Sequence, residues 1–266
     1  MSKVVLITGA SSGIGKITAQ YLSEKGFKVY GTSRNPKQDN LSFDLIALDV
    51  NQPKSIENAI KSLLEKEKRI DILINNAGMG ITGPIEETPV EEIRKVFETN
   101  FFGAIAMMQA VLPAMRTQKS GLIINITSIA GYMGLPFRGI YCATKGALET
   151  VTEAIRMEVK SFGIVVTNVA PGDFATNIAA GRYHTPVFEN SAYKKVYQQN
   201  LDLMDTHVDS GSDPKEMAVQ IYKIIKNPKP KIHYKVGDFM QKFSIVLKRI
   251  LPDKVYEKLL MNHYKM

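Results

Sequence analysis

Seven short runs of apolar and β-branched residues recur along the chain, at 4–8, 28–32, 44–48, 71–75, 122–127, 164–169 and, weakly, 232–236. They are nearly continuous rather than alternating, the pattern of strands buried on both faces. Between them lie segments of helical period, 15–25, 54–67, 90–116 and 141–162. Strands alternating with helices predict a parallel sheet, because right-handed crossovers carry helices to both of its faces. The predicted architecture is therefore α/β: one domain over residues 1–266, a doubly wound parallel sheet of about seven strands. No Pro-, Gly- or Ser-rich linker divides it. The irregular stretch 174–212 is too long for an ordinary connection and predicts a substrate lid. Ser212, Asp213 and Pro214 then read as a helix start, with a capping side chain and an early proline.

Composition narrows the class. With 44% apolar residues the chain can fill a core, so disorder is excluded. The single cysteine, Cys142, excludes a disulfide framework and a thiolate zinc site. It suits a reducing compartment and is expected to be a buried packing residue. The longest apolar run, 101–115, is broken by Gln109 and Pro113 and falls short of a membrane span. The first strand begins within three residues of Met1, with no charged leader. These features predict a soluble, cytoplasmic protein. The net charge of +8 is unevenly placed: residues 1–222 carry 23 basic and 23 acidic side chains, whereas 223–266 carry 11 and 3. A neutral body with a basic tail is not the footprint of a nucleic-acid-binding fold.

The first run leads directly into Thr8-Gly9-Ala10-Ser11-Ser12-Gly13-Ile14-Gly15. Glycines there allow a tight turn and close backbone approach, and the following helix presents unpaired N–H groups to a pyrophosphate. The spacing is G-x3-G-x-G, not the common G-x-G-x-x-G. A ligand-free glycine-rich turn is the simpler alternative. The same stretch fits G-x-S-x-G, a hydrolase nucleophile elbow. That reading needs an oriented histidine, and His184, His207, His233 and His263 all lie in or after the irregular stretch. None has metal-ligand spacing, so no metal site is predicted.

This octet resembles the cofactor turn of the short-chain dehydrogenase/reductase family. Further stretches match that family in order: Asp49-Val50, Asn75-Asn76-Ala77-Gly78, Asn100-Phe101-Phe102-Gly103 and Pro171-Gly172-Asp173-Phe174-Ala175-Thr176. The resemblance is dense over residues 3–176 and loose beyond. It implies a Rossmann fold, a homodimer or homotetramer, and a nicotinamide cofactor. The implied cofactor contacts are Gly9, Ser11, Ser12, Gly13, Ile14, Gly15, Asp49, Val50, Asn76, Ala77, Gly78, Pro171, Gly172 and Thr176. Cofactor choice turns on the end of the second strand, where NAD enzymes carry a carboxylate and NADP enzymes an arginine. Here Ser33 stands in the carboxylate position and Arg34 follows, with no acidic residue before Asp39. A guanidinium suits a 2′-phosphate, so NADP(H) is expected over NAD(H).

Tyr141 and Lys145, four apart on a predicted helix, share one face. Two other Tyr-x3-Lys pairs exist, Tyr21/Lys25 and Tyr222/Lys226, but only Tyr141/Lys145 has a serine, Ser128, thirteen residues before its tyrosine. That serine ends a strand, at the sheet edge where ligands bind. The family's S-x12-Y-x3-K pattern is met here alone, with Asn100 as its fourth member. A phenol near pKa ~10 is a weak base unless nearby positive charge stabilises the phenolate. Tyr141 would then exchange a proton with the carbonyl or alcohol oxygen, while Ser128 holds that oxygen. The resemblance further implies that Lys145 holds the nicotinamide ribose, that Asn100 anchors a water beside it, and that Thr176 meets the carboxamide. The expected activity is hydride transfer between NADP(H) and a small-molecule carbonyl or secondary alcohol. Alternatives are a small-carbonyl reductase and a catalytically silent NADP-binding regulator; the complete four-residue set disfavours the latter.

Phe174, Tyr183, Phe188, Tyr193, Tyr197 and Met204 from the irregular stretch, with Met133 and Phe137, suit an apolar substrate, and equally the packing of a lid. In the basic extension 237–266, Phe239, Met240, Phe243, Val246, Leu247, Ile250 and Leu251 form one helical stripe. Such a helix can pack on the body, shelter the pocket mouth or make peripheral contact with an anionic membrane. The second-strand sequence and this tail resemble the family members acting on steroids, retinoids and other lipids.

Overall fold

In the computed structural model the apolar runs extend side by side and the helical segments cross between them. In chain order the elements are β1 (Val4–Ile7), α1 (Gly13–Glu24), β2 (Lys28–Ser33), β3 (Asp44–Ala47), α2 (Pro53–Glu67), β4 (Ile72–Asn75), β5 (Ile81–Thr82), α3 (Val90–Phe97), α4 (Gly103–Gln118), β6 (Gly121–Ile126), α5 (Gly139–Glu158), β7 (Ile164–Pro171), β8 (Tyr183–His184), α6 (Lys194–Asp209), α7 (Lys215–Lys226), β9 (His233–Val236), α8 (Phe239–Ile250) and α9 (Asp253–His263). The structure describes all residues except 1, 38–40, 175–180 and 210, and leaves out the side chains of 205 and 207–209.

Seven strands form one sheet in the order β3-β2-β1-β4-β6-β7-β9, every neighbouring pair parallel. The predicted doubly wound sheet is present. Alternate residues of each strand point to opposite faces. Leu6, Leu73 and Ile123 pack with Ile60, Leu63, Met107 and Val111 of α2 and α4. Val5, Ile7, Ile72, Ile74 and Ile124 pack with Leu22, Met217, Ile221 and Ile224 of α1 and α7. Each such buried side chain contributes roughly 1.5–3 kcal/mol, so an entirely apolar β1 belongs at the sheet centre. The chain leaves β1 outward through β2 and β3, then returns to the other side of β1 as β4. That reversal opens a crevice at the carboxyl ends of the strands.

The helical segment predicted over 90–116 is interrupted in phase, not in direction. Between α3 and α4 lies a π-helical turn, Glu98–Phe102, with helical dihedrals on either side. The stretch 174–212 is not an irregular loop: it contains β8, which pairs with β5, and the four-turn α6. Its two ends meet at a bridge between Phe174 and Ser212. The predicted start at Ser212–Pro214 opens α7, where Asp213 Oδ1 accepts from the Lys215 N–H at 2.8 Å. The tail forms α8 and α9, whose Ile245 and Tyr256 join Ile129, Met133 and Ala170 in a third small core. Among the described residues no helix is long and apolar enough to cross a membrane.

Candidate active site

The turn after β1 is shaped by glycine at two positions. Gly9 has φ +67°, and a Cβ there would lie 2.9 Å from the Ala77 Cα. A Cβ on Gly15 would fall 2.4 Å from both the Gly9 carbonyl oxygen and the Asn76 side-chain nitrogen. α1 is therefore seated directly on the turn. The segment following β4 buttresses it: Thr8 Oγ1 accepts from the N–H groups of Asn76 (2.9 Å) and Ala77 (3.0 Å). Asn76 Nδ2 in turn donates to the carbonyls of Thr8 and Gly9, at 2.9 and 3.0 Å. Ser11 and Ser12 are exposed at the head of α1, where Ser12 is extended and its hydroxyl makes no cap. Gly13 and Ile14 begin the helix. Ser33 ends the neighbouring β2, and Arg34 follows it, exposed. Beyond β3, Asp49 Oδ1 accepts from the Asn51 N–H at 2.9 Å, and Val50 is buried against Gly103. Hydroxyls, a helix start without a side-chain cap and a guanidinium are the donors a diphosphate and a 2′-phosphate require, so this turn fits a dinucleotide.

The predicted catalytic residues converge one strand away. Ser128 follows β6 and lines the same cleft as Tyr141, and its hydroxyl accepts from the Ala130 N–H at 3.1 Å. Tyr141 and Lys145 occupy the first turns of α5, with Lys145 Nζ 5.9 Å from the phenol ring centroid. Lys145 is buried, and its ammonium donates to the Ile126 carbonyl at 3.0 Å. Asn100 arrives on the π-helical turn, where such irregularities often serve sites. Its Oδ1 accepts from the Met79 N–H (2.8 Å), and its Nδ2 donates to the Met79 carbonyl (2.9 Å) and to Thr144 Oγ1 (3.1 Å). A Cβ on Gly78 would stand 3.2 Å from Asn100 Oδ1 and 3.4 Å from Lys145 Nζ, so these three residues meet. Pro171 and Gly172 close the far side at the end of β7. Thr176 lies outside the described residues.

Burial sets the electrostatics. It lowers the Lys145 ammonium to about 8, against an opposing pull from Glu149. It pushes the Tyr141 phenol up, opposed first by the Arg138 guanidinium and then by the Ser128 hydrogen bond. Arg138 lies 5.7 Å from the Tyr141 ring centroid, on the side away from Lys145 in sequence. It faces Asp173 and bonds Tyr264 of the tail.

One cleft joins Ile14 of the cofactor turn to Ser128, Tyr141, Gly172 and Phe174, and Arg138, Asp173 and Arg182 also line it. A more open groove between α2 and α4 holds none of these residues. Of the expected apolar lining, Phe174 is in the cleft, whereas Tyr197 and Met204 are buried within the insert and Phe188 is exposed. The Tyr197 ring lies 5.2 Å from that of Phe137 at a tilt of 50° and its hydroxyl bonds Thr82, and Tyr193 bonds Glu86 at the surface. Tyr183 is half-buried in β8, and Met133 lies under the tail against Tyr256. Cys142 is buried, which pushes its thiol up.

Sequence reasoning missed a buried carboxylate. Glu149, one turn beyond Lys145, accepts from Thr127, from Tyr132 (2.8 Å) and from Asn168, and contacts His233 Nδ1 at 2.9 Å. It thereby ties α5 to β6, β7 and β9. Its one signal was the i+4 spacing from Lys145. Arg138 was equally visible, three residues before Tyr141, with no reason to single it out. Among the described residues no cluster of three or more His, Cys, Asp or Glu could hold a metal.

Comparison with known proteins adds four findings. The short chain dehydrogenase family model matches residues 3–186. A 3-ketodihydrosphingosine reductase from Bacteroides thetaiotaomicron is 40% identical over 263 residues, covering 98% of each chain. Among solved structures, a short-chain dehydrogenase from Streptomyces avermitilis superimposes with TM-score 0.86 at 31% identity, covering 100% of this chain and 97% of that one. The closed form of a serine dehydrogenase with NADP+ gives 0.77 at 25% identity, covering 89% and 95%.

Proposed function

Because the chain belongs to the short-chain dehydrogenase/reductase family and is an oxidoreductase of the CH–OH/C=O couple, we propose that it is an NADP(H)-dependent reductase of apolar ketones with Tyr141 as general acid/base. The observation that carries this reading is Tyr141 beside Ser128 in the cleft, with the Arg138 guanidinium 5.7 Å and the Lys145 ammonium 5.9 Å from its ring centroid. The turn of Gly9–Gly15 would hold the pyrophosphate, Arg34 and Ser33 the 2′-phosphate ribose, Asp49 and Val50 the adenine side, and Asn76–Gly78 and Pro171–Gly172 the nicotinamide half. When bound, the nicotinamide supplies or accepts the hydride. Ser128 holds the substrate oxygen by a hydrogen bond. Tyr141 protonates that oxygen as negative charge develops on it in reduction, or removes its proton in oxidation. The two cations stabilise the phenolate left behind. Lys145, tied to Ile126 and beside Asn100, restores the proton.

The Bacteroides relative, named for a ketone on a long alkyl chain, supports a long-chain keto substrate. Its polar end would lie against Arg138, Asp173 and Arg182, and its chain along Phe174, under the part of the insert that carries β8 and α6. Tyr141→Phe is expected to abolish NADPH oxidation, measured over long-chain ketones, steroids, retinals and small aldehydes, while fluorescence titration still shows NADPH binding. Substantial residual turnover would remove Tyr141 from its role. A preference for small aldehydes would remove the substrate class.

A further inference from the structure

α8 presents two faces, and the unexpected one looks outward. Its inner face is fixed to the body: Ile245 is buried, Gln241 donates to Asp173 at 2.7 Å, and Ser244 bonds Tyr256 at 2.9 Å. Phe239, Phe243, Val246 and Ile250, spaced four, three and four apart, form one helical stripe on the solvent side. Phe239 is 69% exposed and Ile250 68%. The rings of Phe239 and Phe243 stack at 5.8 Å, with Met240 beside them. α9 adds Val255, Leu259 and Met261. Of the sixteen large apolar side chains exposed among the described residues, nine fall within 239–266. Single exposed apolar residues need no explanation, but a contiguous set marks a contact surface.

Charge selects the partner. Lys242 and Arg249 flank the α8 stripe, and Lys254 and Lys258 lie on α9, within the segment that carries the whole excess of basic over acidic residues. A second copy of this chain docked face to face would set these cations against their own equivalents. A partner offering an apolar interior beneath an anionic surface satisfies both features. We propose that the outer face of α8 and α9 docks on anionic lipid bilayers, lying in the interface without spanning it. Gln241 on the opposite face of α8 reaches Asp173, so docking holds the cleft about one helix diameter, ~10 Å, from the membrane surface. On the function proposed above, that brings the cleft to the surface into which an apolar ketone partitions.

The test is flotation of the full chain with vesicles, a readout independent of turnover, so that failure of docking and failure of the catalytic reading are told apart. The protein should float with equal parts phosphatidylglycerol and phosphatidylcholine at about 0.1 M salt, and be released by about 0.5 M. It should not float with phosphatidylcholine alone. Phe239→Ser with Phe243→Ser should lower the partition coefficient at least ~10-fold. Lys242→Ala with Arg249→Ala should lower it roughly fivefold for each basic side chain lost. Retained NADPH-linked turnover of a water-soluble carbonyl, with an unchanged circular dichroism spectrum, shows that these variants fold. The proposal is overturned if the native chain does not float with anionic vesicles, or if both double variants float as it does. It is equally overturned if the native chain is a dimer that Phe243→Ser converts to monomer, since a second copy then covers the stripe.

Discussion

Arg34 sits where one side chain decides between two forms of the same cofactor. Arg34→Asp exchanges a fork of donors for a carboxylate that repels phosphate and suits ribose hydroxyls. The ratio of kcat/KM for NADPH over NADH should fall roughly 100-fold, and an unchanged ratio would withdraw the NADP(H) assignment. Lys145 yields a stability prediction whose sign follows from burial. Its folded value is about 8 against 10.5 for the free side chain. Between those values the unfolded chain binds more protons, so stability rises with pH there, by on the order of 3 kcal/mol in all. Denaturant titrations from pH 7 to about 10 should show this rise in the native chain and not in Lys145→Met. At this scale the sequence was legible where a residue belonged to a motif, as Ser128, Tyr141, Lys145 and Asn100 do. It was silent on Arg138 and Arg182, because a lone arginine in a polar segment reads as solvated until the fold brings its neighbours to it.

Between elements, one carboxylate does the joining. Glu149 holds the ends of β6, β7 and β9 to α5, so the strand leading to Ser128 and the helix carrying Tyr141 are tied behind the site. Glu149→Ala leaves buried hydroxyl and amide donors unmatched and should cost about 3 kcal/mol. In calorimetry that is a fall of roughly 6–10 °C in Tm, and a change below a degree or two would show that the network is dispensable. Strand and helix positions followed closely from the hydrophobic pattern, because every strand of the sheet centre is apolar on both faces. The π-helical turn at Glu98–Phe102 did not, since one surplus residue shifts helical phase by about 100° without erasing the apolar period. Asn100 owes its direction to that surplus. β8 and α6 were also missed: the polar, aromatic-studded sequence of the insert gives little period until it packs.

Across the whole molecule, charge and hydrophobicity divide the chain at the same place, a neutral catalytic body and a basic, outward-facing tail. The amphipathic stripe of the tail could be read from spacing, but not its direction, which depends on Gln241, Ser244 and Ile245 taking the inner face. The bridge between Phe174 and Ser212 has a consequence for how such an enzyme can be altered. The two ends of the insert therefore stand together, and between them β8 and Tyr197 fasten it again to β5 and Phe137, so it is a cassette closed at its base and pinned along one side. Loop closure then adds little penalty when its length changes. Exchange of residues 181–209 for the corresponding segment of a relative should leave NADPH affinity within about twofold, because the cofactor turn and Thr176 lie outside it, while redirecting which ketones are reduced. An unchanged substrate ranking would show that selectivity resides in the fixed wall of Arg138 and Asp173. The sheet can thus keep one chemistry while the choice of substrate is rewritten within one insert.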